Sequence, residues 1–202
     1  MTYSLNVPYL DYDDIRKRAD DFLKEYNPDG IIPVAMEEIV EFQLGINIIP
    51  IHGLHKAYEI DGFHSSDLQD ISVDEYVYES RPGRYRFTLA HEVGHIVMHK
   101  YIYDGITFNN IMEWKEFVRN IPEQEYGRLE YQAYCFAGLV LVPSIPLHDE
   151  FMKAKEMAKS FGVDLKKSGD IAMSYMEQFI SKAFLVSAEV VHRRIEYDKL
   201  EL

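Results

Sequence analysis

Residues 91 to 95 read His91-Glu92-Val93-Gly94-His95, and the apolar residues around them leave few arrangements open to the chain. Phe87, Ala90, Val93, Gly94, Val97 and Met98 recur at three- and four-residue intervals with no proline between them, the stripe of a helix buried along one side. At 3.6 residues per turn, His91 and His95 project from one face one turn apart, with Glu92 beside them. So placed, two imidazoles can reach one metal ion; on a strand they would stand too far apart to share it. The pattern is that of a zinc hydrolase, in which the glutamate is the general base. The plainer alternative is an amphipathic helix with two histidines satisfied by ordinary partners. Buried imidazoles need partners, and one divalent ion serves both at once.

A zinc site that does chemistry usually has three protein ligands and an open position for water, so a second element should supply another His, Asp or Glu. Residues 123 to 141 predict that element. Pro122 precedes the segment, Glu123 and Glu125 suit its first turn, and Leu129, Ala133, Phe136, Ala137, Val140 and Leu141 form its apolar face. Glu130 lies at the margin of this face. If it turns inward its carboxylate needs a cation; the residues alone leave open that it reaches out to solvent instead.

The stretch Arg86-Phe87-Thr88-Leu89-Ala90-His91-Glu92-Val93-Gly94-His95, followed by Glu130-Tyr131-Gln132-Ala133-Tyr134-Cys135-Phe136-Ala137-Gly138-Leu139-Val140-Leu141-Val142-Pro143, resembles the ImmA/IrrE family of metallopeptidases. In that family a His-Glu-x-Gly-His helix is followed by a Glu-x-Glu-Ala-Asn-x-Phe-Ala segment that closes on a proline. The resemblance is strongest over residues 84 to 143. Phe184-Leu185-Val186-Ser187-Ala188-Glu189 is similar to the family's Phe-x-Val-Ser helix start. It implies a zincin-like minimal metallopeptidase in which Glu130 is the third metal ligand. Two positions depart from the pattern. Gln132 replaces the second glutamate and, two residues from Glu130, faces another side of the helix, so the ligand set should survive. Tyr134 stands where Asn or Asp is usual, one turn from Glu130; it is expected to orient a ligand, to stabilise an oxyanion, or simply to pack.

With 202 residues, 47% of them hydrophobic, the chain can bury a sizeable core without staples. The single cysteine, Cys135, excludes an internal disulfide and suits a reducing compartment. The opening Met1-Thr2-Tyr3-Ser4-Leu5-Asn6-Val7-Pro8 lacks a basic start and an apolar run, and no later segment reaches membrane-spanning length, so the expectation is a soluble cytoplasmic protein. A formal charge of -13 disfavours direct nucleic-acid binding and favours a basic protein as partner or substrate.

Along the chain, Asp11 or Asp13 caps a first helix that ends near Asn27-Pro28-Asp29-Gly30, and Pro33 opens a second that stops at Gly45. Strands are expected at 46 to 51, 57 to 64 and 70 to 79, the last as an edge or hairpin arm because Asp70, Asp74, Glu75 and Glu79 intersperse charges among β-favouring residues. Arg81-Pro82-Gly83-Arg84 turns into the metal helix. Residues 104 to 122 bridge to the Glu130 helix and form a wall of the cleft, and three helices follow Pro143. The expected fold is α+β, a helical bundle beside a short, mostly antiparallel sheet whose edge runs past the metal. Residues 1–145 form the metallopeptidase domain and 146–202 a helical region packed on it.

The expected chemistry is metal-dependent peptide hydrolysis. His91, His95 and Glu130 hold Zn2+, with Mn2+ or another divalent ion also suited to this donor set, and Glu92 moves the water proton. Substrate would lie extended beside residues 70 to 79. His99 continues the series of four but, eight residues from His91, stands about 12 Å along the helix, too far to share its ion; a capping or ligand-supporting role fits it better. His52, His55, His64, His148 and His192 show no ligand spacing. The family resemblance implies cleavage of a helix-turn-helix repressor in stress response, prophage or mobile-element induction. The competing reading is a non-catalytic, antitoxin-like regulatory protein that keeps the fold and works by binding. Neither reading fixes an oligomeric state.

Overall fold

Several helices in this chain start where a side chain closes the open backbone groups of the first turn. In the computed structural model, which describes residues 5–202 apart from the side chain of Lys166, α1 spans Tyr12–Tyr26. Asp11 accepts the backbone N–H of Asp14 while the Asp14 carboxylate takes that of Asp11, a reciprocal cap. Residues 1–4, part of the opening segment read above, lie outside the described residues. The next helix, α2 (Met36–Glu38), continues as a π-helical turn over Ile39–Gln43, and Gly45, at φ +68°, reverses the chain into β1 (Asn47–Ile51).

Two strand expectations are corrected. Residues 54 to 58 form a short helix, α3 (Leu54–Tyr58), so the second strand, β2, is only Gly62–His64. The third, β3, covers Asp70–Asp74, and Glu75–Ser80 turns into helix α4. Asp74 causes that switch: its carboxylate accepts the N–H of Val77 at 3.1 Å and that of His55 at 2.9 Å. Of the acidic residues that resembled the outer face of a strand, Asp74 and Glu75 are the cap and first turn of a helix.

The strand order is β1-β3-β2. β1 runs parallel to β3, pairing Asn47 with Asp70 through Ile51 with Asp74, whereas β2 is antiparallel to it, with Phe63 opposite Ser72. The α+β class stands, with a mixed sheet. Strand β3 is central, so residues 70 to 74 offer no free edge, and burial of Ile71, Ser72, Val73 and Asp74 agrees with that position. The outer edge next to the long helix belongs to β2.

That helix, α5, spans Pro82–Tyr103. It is followed by α6 (Ile111–Arg119), α7 (Glu123–Leu141), α8 (Ser144–Ser160), α9 (Leu165–Phe184, kinked at Gly169) and α10 (Ala188–Asp198). Helix α7 packs along α5 and α1, and β2 and β3 lie against α5. Ile15, Leu89 and Phe136 share one buried cluster with Leu147, Phe151, Ile180 and Val191 from the chain's last third. Arg194 of α10, 2% exposed, ties this region down. Its guanidinium grips Asp198 through two bonds of 2.8 and 2.9 Å and donates to Val142 O, Ser144 Oγ and the Tyr12 hydroxyl.

Candidate metal centre

The inner stripe of α5 is deeply buried: Leu89, Ala90 and Val93 are fully enclosed. Gly94 is what lets α7 come close. A Cβ there would stand 3.2 Å from the Cα and carbonyl oxygen of Ala133 and from the Phe136 ring. This approach brings Glu130 to the two histidines. His91 Nε2 and His95 Nε2 are 3.1 Å apart, Glu130 Oε2 is 3.4 Å from the first, and Oε1 is 3.5 Å from the second. No other group of three or more His, Cys, Asp or Glu with converging donor atoms occurs among the described residues.

The donor set can be tested against a zinc ion. Bonds of about 2.0–2.1 Å in a tetrahedron put neighbouring donors about 3.3–3.4 Å apart, and the contacts above bracket that spacing. Two imidazole nitrogens facing each other also need something positive between them, a shared proton or a cation. Two nitrogens, one carboxylate and an adjoining cavity suit a three-ligand site with one position open. His91, His95 and Glu130 therefore fit such an ion.

Without an ion, the charges lean on one another. Burial works against ionisation of Glu130, yet the adjoining His91 and His95 imidazoles hold its carboxyl well below the usual range. Burial pushes His95 down to about 3, against the pull of Glu130. For His91, burial is outweighed by the Glu130 hydrogen bond and by Glu92 and Glu130, so its pKa rises. Glu92, 6% exposed, is driven up to about 7 by burial, with His91 opposing the shift and Glu130 adding to it.

The structure also places two residues at the site that sequence reasoning passed over. His64, in β2, is 2% exposed, and its backbone N–H donates to the Glu92 carboxylate. Its Nδ1–H donates to Ser65 O at 2.9 Å, its ring stands edge-on to Tyr103 at 4.3 Å and 5.9 Å from that of His95, and burial lowers its pKa to about 4. No spacing signals it, because only the sheet carries β2 to α5: Gly62 is so close that a Cβ would meet the Thr88 methyl at 2.6 Å. Tyr126, one turn before Glu130, donates its hydroxyl to that carboxylate. That four-residue interval was a usable signal.

Of the remaining candidates, His99 is buried beneath His95, with the Nδ1 atoms 3.1 Å apart, and its Nε2 is 2.9 Å from Gln132 Oε1. Tyr134 lines the cavity half-buried, its ring 4.9 Å from that of Phe87 and 5.0 Å beneath the Arg193 guanidinium. Ordinary carboxylate partners occupy His52, His55 and His192, namely Glu75, Asp61 and Glu177. A cavity of about 280 Å³ opens above the triad; Trp114, Phe117, Val118 and Ile121 wall it on one side and Asp61, Gly62 and His64 on the other. The bridge between α5 and α7 thus forms the cleft wall expected of it. Among the described residues no helix is long and apolar enough to cross a membrane.

A family model described as Peptidase_M78, IrrE N-terminal-like domain, matches residues 43–196. No curated protein matches the chain by sequence. Among solved structures, a Mycobacterium tuberculosis transcriptional regulator aligns with a TM-score of 0.53 at 16% identity, over 91% of this chain and 46% of the regulator. That likeness is one of fold, and the chain spans less than half of the regulator's length.

Proposed function

Because the chain belongs to the Peptidase_M78 (IrrE N-terminal-like) family, whose members are metallopeptidases, we propose that it is a zinc-dependent endopeptidase acting on a protein substrate, a DNA-binding repressor of the helix-turn-helix class. The observation that carries this reading is the convergence of His91 Nε2, His95 Nε2 and a Glu130 oxygen beside a buried Glu92.

In this reading His91, His95 and Glu130 hold the ion, which contributes acidification of water and polarisation of the scissile carbonyl. Glu92 accepts the proton of the attacking water on its carboxylate and returns it to the leaving amine nitrogen as the peptide bond breaks. The His64 N–H steadies one side of that carboxylate, and the Tyr126 hydroxyl holds Glu130 in its orientation. Substrate lies extended along the outer edge of β2, where backbone groups can pair with it, and the α6 wall shields the reacting bond from water. The acidic chain attracts a basic substrate, consistent with a repressor.

A second reading, a regulatory protein that keeps the site but works by binding, draws on the apolar groove between α8 and α9, where Phe161 and Tyr175 are 78% and 71% exposed. Incubation of the zinc-loaded protein with candidate basic repressors, followed by mass spectrometry of the products, separates the two. Cleavage by the wild type that Glu92→Gln abolishes supports the peptidase; a stable complex with no cleavage supports the binder.

A further inference from the structure

We propose that the N-terminal segment, through Gln132 and His99, sets which nitrogen of His95 carries its proton and so makes His95 competent to hold a metal. The proposal rests on the assignment of His95 as a ligand. The series of bonds runs inward from Pro8, whose carbonyl oxygen can only accept. Gln132 Nε2 lies 2.8 Å from it and donates, which turns Gln132 Oε1 toward His99 Nε2 at 2.9 Å. An amide oxygen only accepts, so His99 carries its proton on Nε2. His99 is 1% exposed and its partner is a neutral amide, surroundings that favour the uncharged ring. Its Nδ1 then holds a lone pair, and the 3.1 Å contact with His95 Nδ1 makes His95 the donor there. The other nitrogen of His95, Nε2, is left bare, and it is the atom that faces His91 and Glu130. A ligand nitrogen must be unprotonated to bind a metal.

The segment that starts this chain of bonds is itself held on α7. Val7 is fully buried, its N–H donates to Glu125 Oε2 at 2.6 Å, and its carbonyl accepts from Arg128 Nη1 at 3.2 Å. Glu125, Arg128 and Gln132 occupy one side of α7, so the segment lies along the helix with Pro8 opposite Gln132. Were Gln132 to turn its amide over, its NH2 would face His99, every donor in the series would reverse, and His95 would present N–H to the metal position. His99 and Gln132 are thus positioning residues, and the Pro8 carbonyl selects the productive direction.

The test is 15N NMR of the histidine side chains in the full-length, metal-stripped protein, paired with calorimetric zinc titration of the wild type, Gln132→Met and His99→Phe. The wild type should show His99 protonated on Nε2 and His95 on Nδ1. Both variants should leave His95 distributed between its two forms and weaken zinc binding about 10- to 100-fold, the usual cost of losing a ligand's outer partner. Protonation of wild-type His95 on Nε2 overturns the proposal, as does weaker zinc binding with the His95 form unchanged, which would mark Gln132 and His99 as packing alone. Zinc binding unchanged in both variants overturns it as well. Wild-type protein that takes up no zinc would sink the metal assignment itself, while its histidine spectrum, which needs neither substitution nor metal, would still report on the relay.

Discussion

Gly94 of α5 faces Ala133 of α7 at a distance that leaves little room for a side chain: a Cβ on Gly94 would lie 3.2 Å from both the Cα and the carbonyl oxygen of Ala133. The same crossing sets how far Glu130, one turn before Ala133, stands from His91 and His95. Packing and ligand geometry are therefore one constraint, and backbone atoms on the α7 side cannot move aside as a flexible side chain would.

Gly94→Ala should accordingly destabilise the fold by about 1–3 kcal/mol, the usual cost of overpacking, despite the better helix propensity of alanine. It should also weaken zinc binding by pushing α7 outward. Chemical denaturation and zinc titration of the same variant check both; normal stability with full zinc affinity would show that the helices have slack.

Glu130→Ala removes a donor from the triad and should lower zinc affinity by more than the roughly 10- to 100-fold typical of outer partners. The helical circular dichroism should be preserved, since the Glu130 side chain is 39% exposed. Calorimetry with metal-stripped protein reads the affinity, and a one-to-one isotherm indifferent to Glu130 would remove it from the ligand set.

Glu92→Gln should bind zinc and fail to cleave, and in the metal-free protein it should also be more stable than the wild type. Burial raises the Glu92 pKa from the ordinary carboxyl value to about 7, so the native state holds the proton more tightly than the unfolded chain. Ionised Glu92 therefore opposes folding above about pH 7, and this opposition fades as pH falls through 7 toward 4.5. The stabilisation by Gln should be greatest above neutrality, of the order of 3 kcal/mol, and absent near pH 4.5. Thermal melts of both proteins from pH 8 to 5 test the trend; a gain that grows on acidification would contradict it.

Arg194→Ala should cost about 2–3 kcal/mol, because the Asp198 carboxylate, 9% exposed, loses its bidentate partner and keeps only Arg16 Nη2, at 2.6 Å. Arg194→Met, which keeps most of the volume, should suffer similarly while Asp198 remains. Partial restoration of stability in Arg194→Met combined with Asp198→Leu, which leaves Arg16 without this acidic partner, would show that the loss came from the weakened charge pairing.

The long helices were readable from the chain because their signals are local. The stripe around His91, the Pro122 start and acidic first turn of α7, and Asp11 ahead of α1 depend only on residues within a few turns, and those elements fall where expected. The errors lie at residues 57 to 61 and 75 to 79. There the same residues suit a strand or a short helix, and the Asp74 carboxylate, which accepts the Val77 N–H locally and reaches back to the His55 N–H, favours the helix in both places. The central place of β3 was equally hidden, since strand order is a property of pairing between distant segments.

At the site, the spacing of His91, Glu92 and His95 followed from helical periodicity alone, whereas the residues left Glu130 open and only the family resemblance pointed to it as the third ligand. His64 next to Glu92, and the line from Pro8 through Gln132 and His99 to His95, had no signature in the chain. Apart from His99 with His95, one turn along α5, each of those contacts joins segments tens of residues or more apart, and which donor meets which acceptor is decided only when β2, α5, α7 and the N-terminal segment pack together. The sequence by itself determined the helices and the residue types able to bind a metal, because both are local. Tertiary structure decided which of those residues meet and which way their protons point, because hydrogen-bond direction depends on the partner brought to each group.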